Sequence, residues 1–129
     1  TAKQGKLMVR EFYQGRAQQL TLLFDNTPYE DRKSFERAVS LAASICYRAI
    51  TYGYPLRLIT CKKTIPFGTG MEQLFKCLDL LAIIKMEREI NCQREELAKG
   101  AVVAILSSPY SPFSQVTLEA QKVYYANRL

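Results

Sequence analysis

Asp25, Asn26 and Thr27 follow directly on the apolar run Leu20–Phe24, so a carboxylate, an amide and a hydroxyl are gathered at the end of a segment built for burial. Oxygen ligands of this kind can join waters around a hard cation such as Mg²⁺, which demands near-octahedral oxygen coordination. Thr69 can add a hydroxyl from another loop. The same residues have a second reading, because Asp and Asn after a strand also cap turns by accepting hydrogen bonds from their own backbone. Both readings are open at the level of sequence.

Other chemistry finds few residues to carry it. The chain has no histidine, which removes imidazole acid–base pairs, His-based triads and histidine metal ligands. Its aspartates are Asp25, Asp31 and Asp79, and only Asp25 follows an apolar run, so paired-carboxylate hydrolysis or a two-metal centre has little to work with. Ser107 and Ser108 have no base near them in sequence. Gly68-Thr69-Gly70 is too short for a phosphate-binding loop, and neither GxGxxG nor GxxxxGK[ST] occurs. Catalysis is not expected, and a hydrolase or nucleotide-binding enzyme is an alternative that lacks visible machinery. Four cysteines, Cys46, Cys61, Cys77 and Cys92, stand 15, 16 and 15 residues apart without a close CxxC pair, which suits free thiols in a reducing compartment.

Surface chemistry is more informative. Tyr29, Tyr110 and Phe113 fall near the ends of apolar runs and can line one groove, and aromatic residues are frequent interface anchors. Net charge is +6, with no acidic residue between Arg37 and Glu72, while 85–99 carries four basic and four acidic side chains. The adjacent basic pairs are Arg32-Lys33 and Lys62-Lys63, too sparse for a phosphate-tracking stripe. A solvated basic surface is expected, with an acidic-partner face and a nucleic-acid module as alternatives.

These residues must be held by a scaffold of 129 residues, 48% hydrophobic and 23% charged, which is one domain's length spanning 1–129. Apolar runs such as 80–84 and 101–106 are far short of the ~20 residues of a membrane span, and no signal-peptide pattern is present. Thr1 in place of a methionine points to a trimmed or excised piece. Residues 7–12 (LMVREF) suit a short strand, and LTLLF at Leu20–Phe24 suits a strand buried on both faces. A helix is expected from Ser34 to about Gly53, with Phe35, Ala38, Val39, Ala42, Ile45, Cys46, Ala49 and Ile50 at helical spacing. Residues 56–61 read as a strand and 62–67 as its antiparallel edge partner. Thr69 and Glu72 have capping-box spacing before Met71, Leu74, Phe75, Leu78 and Leu81, with helical character, as two helices or one bent one, running toward Lys99. AVVAIL at Ala101–Leu106 is the clearest central strand, parallel to and beside Leu20–Phe24. Ser111-Pro112 then looks like the start of a last helix that buries Val116, Ala120, Val123 and Tyr124. The order predicts a three-layer α/β fold, a mostly parallel sheet with helices on both faces. Binding sites in such sheets lie beyond the carboxyl ends of the strands, which places 25–29 and 107–110 on one rim.

The runs GKLMVREF at 5–12, then Leu20 to Asp25, then FERAVSLAAS at 35–44 closely resemble the bacterial family known as domain of unknown function 58. The likeness covers residues 1–61 well and continues more loosely to 106. It implies a von Willebrand factor type A-like domain, in which a DxSxS motif after the first central strand opens a metal-ion-dependent adhesion site. Asp25, Thr27 and Tyr29 fall on that motif, Thr69 on the second-loop threonine and Ser108 near the later aspartate. Tyr29 and Ser108 depart from the pattern, so the implied metal set is degenerate: Asp25, Thr27, Thr69 and Ser108, with a single carboxylate to offset cation dehydration. Mg²⁺ binding is therefore expected to be weak or absent. The family's standard domain continues beyond the position of Leu129, so an incomplete C-terminus is implied, with a sheet edge that a second copy can cover.

The resemblance implies a non-catalytic protein-binding or adaptor domain of a bacterial membrane-associated system, partnering a MoxR-type ATPase. Its location is then the cytoplasmic side of a membrane-associated protein, or the cytoplasm. A metal-ion-dependent adhesion module is the alternative.

Overall fold

The structure is a computed structural model that describes residues 19–88, 101–114 and 120–126. β1 (Leu20–Phe24) is buried at every position and sits at the centre of a five-stranded sheet. It pairs in parallel with β2 (Leu56–Ile59) on one side and with β4 (Ala101–Leu106) on the other, as the two-sided apolar character of these runs predicts. β3 (Thr64–Gly68) returns antiparallel to β2 at one edge, and β5 (Lys122–Tyr125) lies parallel to β4 at the other. The spatial order is β3-β2-β1-β4-β5. The chain therefore steps outward from β1 in one direction, then crosses back and steps outward in the other.

α1 (Arg32–Thr51) connects β1 to β2, and α2 (Gly70–Ile83) follows β3. Phe35, Ala38, Ala42, Cys46, Ala49 and Ile50 of α1 and Leu74, Cys77 and Leu81 of α2 pack with Leu20, Leu22, Phe24, Leu56, Leu58, Val103 and Ile105 in one core. Small residues at 38, 42, 46 and 49 bring α1 close to the sheet and to α2. Both described helices thus cover one face. The other face carries Leu23, Ile59, Ala104 and Leu106, which pack with Cys61 and Phe113, so it is covered in part by the loop after β4. Thr21 and Arg57 also lie there, paired in register; Arg57 is 7% exposed, donates from Nε to Thr21 Oγ1 at 3.1 Å and lies over the Phe67 ring at 4.6 Å.

Several expectations are corrected. Asp31, not Ser34, caps α1: its backbone is extended and its Oδ1 accepts from the Ser34 amide at 2.7 Å, which holds the carboxyl below its usual range. At the other end Gly53 stops the helix with φ +85, a conformation that favours glycine. Thr69 precedes α2 with no side-chain cap bond, so the capping box does not form, and Met71 and Phe75 are exposed while Gln73, Leu74, Cys77 and Leu81 are buried. α2 ends at Ile83, because Ile84 is extended and 84–88 runs on as irregular chain. The expected last helix does not start at 111–114, which form a turn, and Lys122–Tyr125 form β5 instead, where Val123 and Tyr125 face Phe113's side of the sheet and Tyr124 the helix side. The β-branched and aromatic run KVYY favours a strand once an apolar sheet edge is available to pair with it.

The expected strand at 7–12, the part of the helical extension beyond 88 and Val116 lie outside the described residues. Cys46, Cys61 and Cys77 are buried free thiols, and Cys92 is outside that set. Cys46 and Cys77 hydrogen-bond across the α1–α2 contact, and this bond, reinforced by burial, pushes the Cys46 thiol well above its ordinary value. Among the described residues no helix is long and apolar enough to cross a membrane.

Candidate functional site

The reversal of strand order between β1 and β4 creates a topological switch point, and ligands in open α/β sheets bind in the crevice outside the carboxyl ends of the strands there. Asp25 is the first residue past β1 and occupies that point. Its amide donates to the Ile105 carbonyl of β4 at 2.9 Å, extending the parallel ladder by one bond. Its side chain is fully buried.

Both carboxylate oxygens are already engaged. Oδ1 accepts from the Thr27 amide at 2.8 Å and the Thr27 hydroxyl at 2.5 Å. Oδ2 accepts from the Ser107 amide at 2.8 Å and the Ser111 hydroxyl at 2.6 Å. A carboxylate has about four lone-pair sites, and here each meets a donor. Thr27 Oγ1 also lies 3.2 Å from Ser107 Oγ, joining the two sides of the crevice a second time. Asp25 is therefore a clamp between the loop after β1 and the loop after β4.

Ser111 passes the constraint onward. Its Oγ accepts from the Phe113 amide at 3.1 Å, its own amide donates to the Ser108 carbonyl at 3.0 Å, and the Phe113 ring fills the second core at 1% exposure. The tip between these anchors projects Tyr110, which is 93% exposed. Ser108 does not reach Asp25; its Oγ accepts from the Tyr110 amide at 3.1 Å and shapes the tip.

Asn26 fixes the other flank. Its Oδ1 accepts from the Cys61 amide at 2.9 Å, its Nδ2 donates to the Lys85 carbonyl at 2.7 Å, and its own carbonyl accepts from the Glu87 amide at 2.6 Å. One buried amide thereby ties the ends of β1 and β2 to the segment 84–88 that follows α2. Lys62 and Glu87 add an ion pair at 3.3 Å on the outside of the same join.

Tyr29 is not a groove residue. It is 8% exposed, its ring packs edge-on against Phe35 at 5.1 Å, and its hydroxyl donates to the Asp25 carbonyl at 2.5 Å. Burial first, then the Asp25 charge and Cys61, raise its phenol far above the ordinary tyrosine value. Of the three aromatic residues expected to line a partner groove, Tyr110 is exposed, while Tyr29 and Phe113 are buried.

The metal set implied by the family resemblance does not assemble. Asp25 and Thr27 are adjacent, but Thr69 follows the end of β3 that pairs with Leu56, at the amino end of β2 and so at the opposite rim of the sheet. Ser108 points away, and Ser107 and Ser111, which do reach Asp25, bring hydrogen-bond donors rather than charge. Among the described residues no group of His, Cys, Asp and Glu could hold an ion. A cation would have to displace donors from a saturated carboxylate with no second negative ligand in return, so the residues present do not fit a resident Mg²⁺. Ser111, the 84–88 segment and the partners of Asn26 escape a reading along the sequence, because the contacts span residues far apart in it and no spacing motif marks them.

Tyr29 yields a pH-dependent expectation. Its folded-state value is raised above the unfolded value near 10.0, so its contribution is complete below pH 10 and is lost as pH rises further. The wild-type stability should fall above pH 10 more steeply than that of Tyr29→Phe, by up to about 1.4 kcal/mol per pH unit. At neutral pH the variant should lose about 1 kcal/mol through the missing hydroxyl. Urea melts of both proteins between neutral and alkaline pH measure this, and parallel pH curves would contradict it.

No family model, curated protein or solved structure matches the chain. What stands on the geometry is an α/β fold with a five-stranded, mostly parallel sheet and two described helices.

Proposed function

We propose that this chain is a non-catalytic, protein-binding von Willebrand factor A-like domain, the adaptor part of a bacterial membrane-associated system whose partner is a MoxR-type ATPase. The observation that supports this reading best is Tyr110: a 93%-exposed aromatic side chain on a loop anchored on either side of it, at the switch point of the sheet. An exposed tyrosine on a mobile loop would lose much of its contact energy to ordering. Held by the Asp25 clamp and the buried Phe113 ring, it meets a partner with that cost already met in folding. The resemblance to domain of unknown function 58 supports the adaptor role and the choice of partner.

The crevice itself supports binding above it rather than chemistry within it. Asp25, the carboxylate at the switch point, accepts from the Ser111 hydroxyl, but its remaining lone pairs are taken by the Thr27 amide and hydroxyl and the Ser107 amide, so it is held as a structural acceptor. The test is a calorimetric titration of the chain with the MoxR-type ATPase of the same genome. Tyr110→Ala should weaken the complex about tenfold or more, the effect of losing an interface anchor, while leaving the melting temperature of the free chain unchanged. Absence of binding, or equal affinity of the variant, would contradict the reading.

A further inference from the structure

Among the described residues, exposed basic side chains gather at the carboxyl-terminal rim of the sheet. At the amino-terminal rim the turns 52–55 and 68–70 contain no charged side chain, and the charged groups beside them are Arg48, Glu72 and Lys122. At the carboxyl-terminal rim the chain brings together Arg32 and Lys33 at the start of α1, Lys62 and Lys63 between β2 and β3, and Lys85 and Arg88 in the segment pinned by Asn26. Glu36 lies 3.6 Å from Arg32, and Glu87 lies 3.3 Å from Lys62. Lys33, Lys63, Lys85 and Arg88 have no carboxylate within ion-pair distance among the described residues, and all four are exposed. The other acidic groups on this rim are Glu30, Asp31, whose carboxylate is engaged in capping α1, and Asp79, which lines one depression with Lys63.

From these exposed cations on the rim that carries Tyr110 we infer that the rim receives an acidic, extended peptide segment of the partner protein, with an apolar residue against Tyr110 and carboxylates toward Lys85, Arg88 and Lys63. The inference rests on the protein-binding reading of the rim and adds the chemistry of what binds. Dimensions set the spacing. From β4, which leads to Tyr110, to β3, which Lys63 precedes, the rim crosses β1 and β2. With strands ~4.8 Å apart that distance is about 14 Å, or about four residues of extended chain. The recognised segment therefore has its apolar anchor about four residues from its carboxylates.

A nucleic acid fits this rim less well. Glu30 and Glu87 interrupt the basic residues, and Tyr110 stands alone where stacked bases need a series of aromatic platforms. Tyr110 with scattered cations suits one anchor and a few carboxylates.

The test uses the full chain and a fluorescein-labelled peptide with one Leu-Phe anchor followed after a short Ser spacer by Glu residues. Three further probes are the same peptide with every Glu replaced by Gln, the same with every Glu replaced by Lys, and a labelled single-stranded oligonucleotide. Fluorescence anisotropy should show saturable binding of the Glu peptide, weakening as salt rises because the contacts are exposed and screened. The triple variant Lys63→Glu, Lys85→Glu, Arg88→Glu should weaken it about tenfold, with an unchanged melting temperature, while Arg48→Glu, in the last turn of α1 at the opposite rim, should not. Equal affinity for the Gln peptide, no saturable binding, full affinity of the triple variant or tighter binding of the oligonucleotide would overturn the inference. Titration with the MoxR-type ATPase separates the two levels. Binding that needs Tyr110 but ignores the triple reversal refutes the acidic segment and leaves the protein-binding reading standing; binding that ignores both variants refutes both.

Discussion

Asp25→Ala should lower the stability of the fold by about 3–4 kcal/mol, the largest effect expected of any substitution at the rim. The variant removes one side chain and strands four donors at once: the Thr27 amide and hydroxyl, the Ser107 amide and the Ser111 hydroxyl. Each buried donor left without a partner costs about 1–3 kcal/mol where water cannot reach it. Thr27 and Ser111 are buried, whereas the Ser107 side is partly open to solvent and recovers some of its loss. Asp25→Asn should be only slightly milder, because its amide nitrogen turns two donors toward two others and restores acceptors on one side alone. For a chain of this length the change corresponds to a fall in melting temperature of about 10–15 °C. Calorimetry or thermal circular dichroism measures it. A fall of less than about 1 kcal/mol would show that the clamp carries little of the fold.

Phe113→Ala should cost nearly as much, about 3 kcal/mol, by a different mechanism. Its ring is 1% exposed and packs with Leu23, Ile59, Cys61, Ala104 and Leu106, so truncation loses the transfer free energy of the ring and leaves a cavity. Phe113→Leu should recover more than half of the loss, since it refills much of the volume without a polar atom. Because Phe113 anchors the loop that carries Tyr110, partner affinity should fall in the alanine variant even where the chain stays folded, through looser presentation. Chemical denaturation gives the stability and calorimetric titration the affinity. Undiminished stability would contradict the placement of the ring in the core.

The central sheet was legible because β4 is apolar at consecutive positions and β1 at all but Thr21, a pattern that burial on both faces produces and amphipathic helices do not. The first helix was legible for the complementary reason, its small and apolar residues recurring on one face. Asp25 could be placed at the rim because a parallel strand has its binding end at its carboxyl terminus. What holds Asp25 could not be read in the same way. Its partners at 107 and 111 are 82 and 86 residues distant, and the pairing exists only because β4 lies beside β1. β5 was obscured by coincidence: Ala120, Val123 and Tyr124 have helical spacing, and the neighbouring strand edge decides between the two. In sequence Tyr29 and Phe113 read as surface anchors, since aromatic residues near a rim serve either purpose, and burial alone separates them.

Thr69 illustrates a topological limit. Its hydroxyl is well suited to a cation, but the antiparallel β3 delivers it to the wrong end of the sheet. The segment that does come over the rim beside Asn26 is 84–88, which offers backbone groups and basic side chains instead of oxygen ligands. The rim is internally bonded and carries exposed basic side chains, and the proposed adaptor role draws on both features.

Isothermal titration of the intact chain with Mg²⁺ and Mn²⁺ tests the account's core most directly. If the Asp25 carboxylate is an internal clamp between the loops after β1 and β4, neither ion produces a saturable isotherm up to millimolar concentration, and the melting temperature is the same in Mg²⁺ as in chelator. A stoichiometric site with a micromolar dissociation constant, accompanied by an upward shift in melting temperature, would contradict it and make the rim a working adhesion-type metal centre.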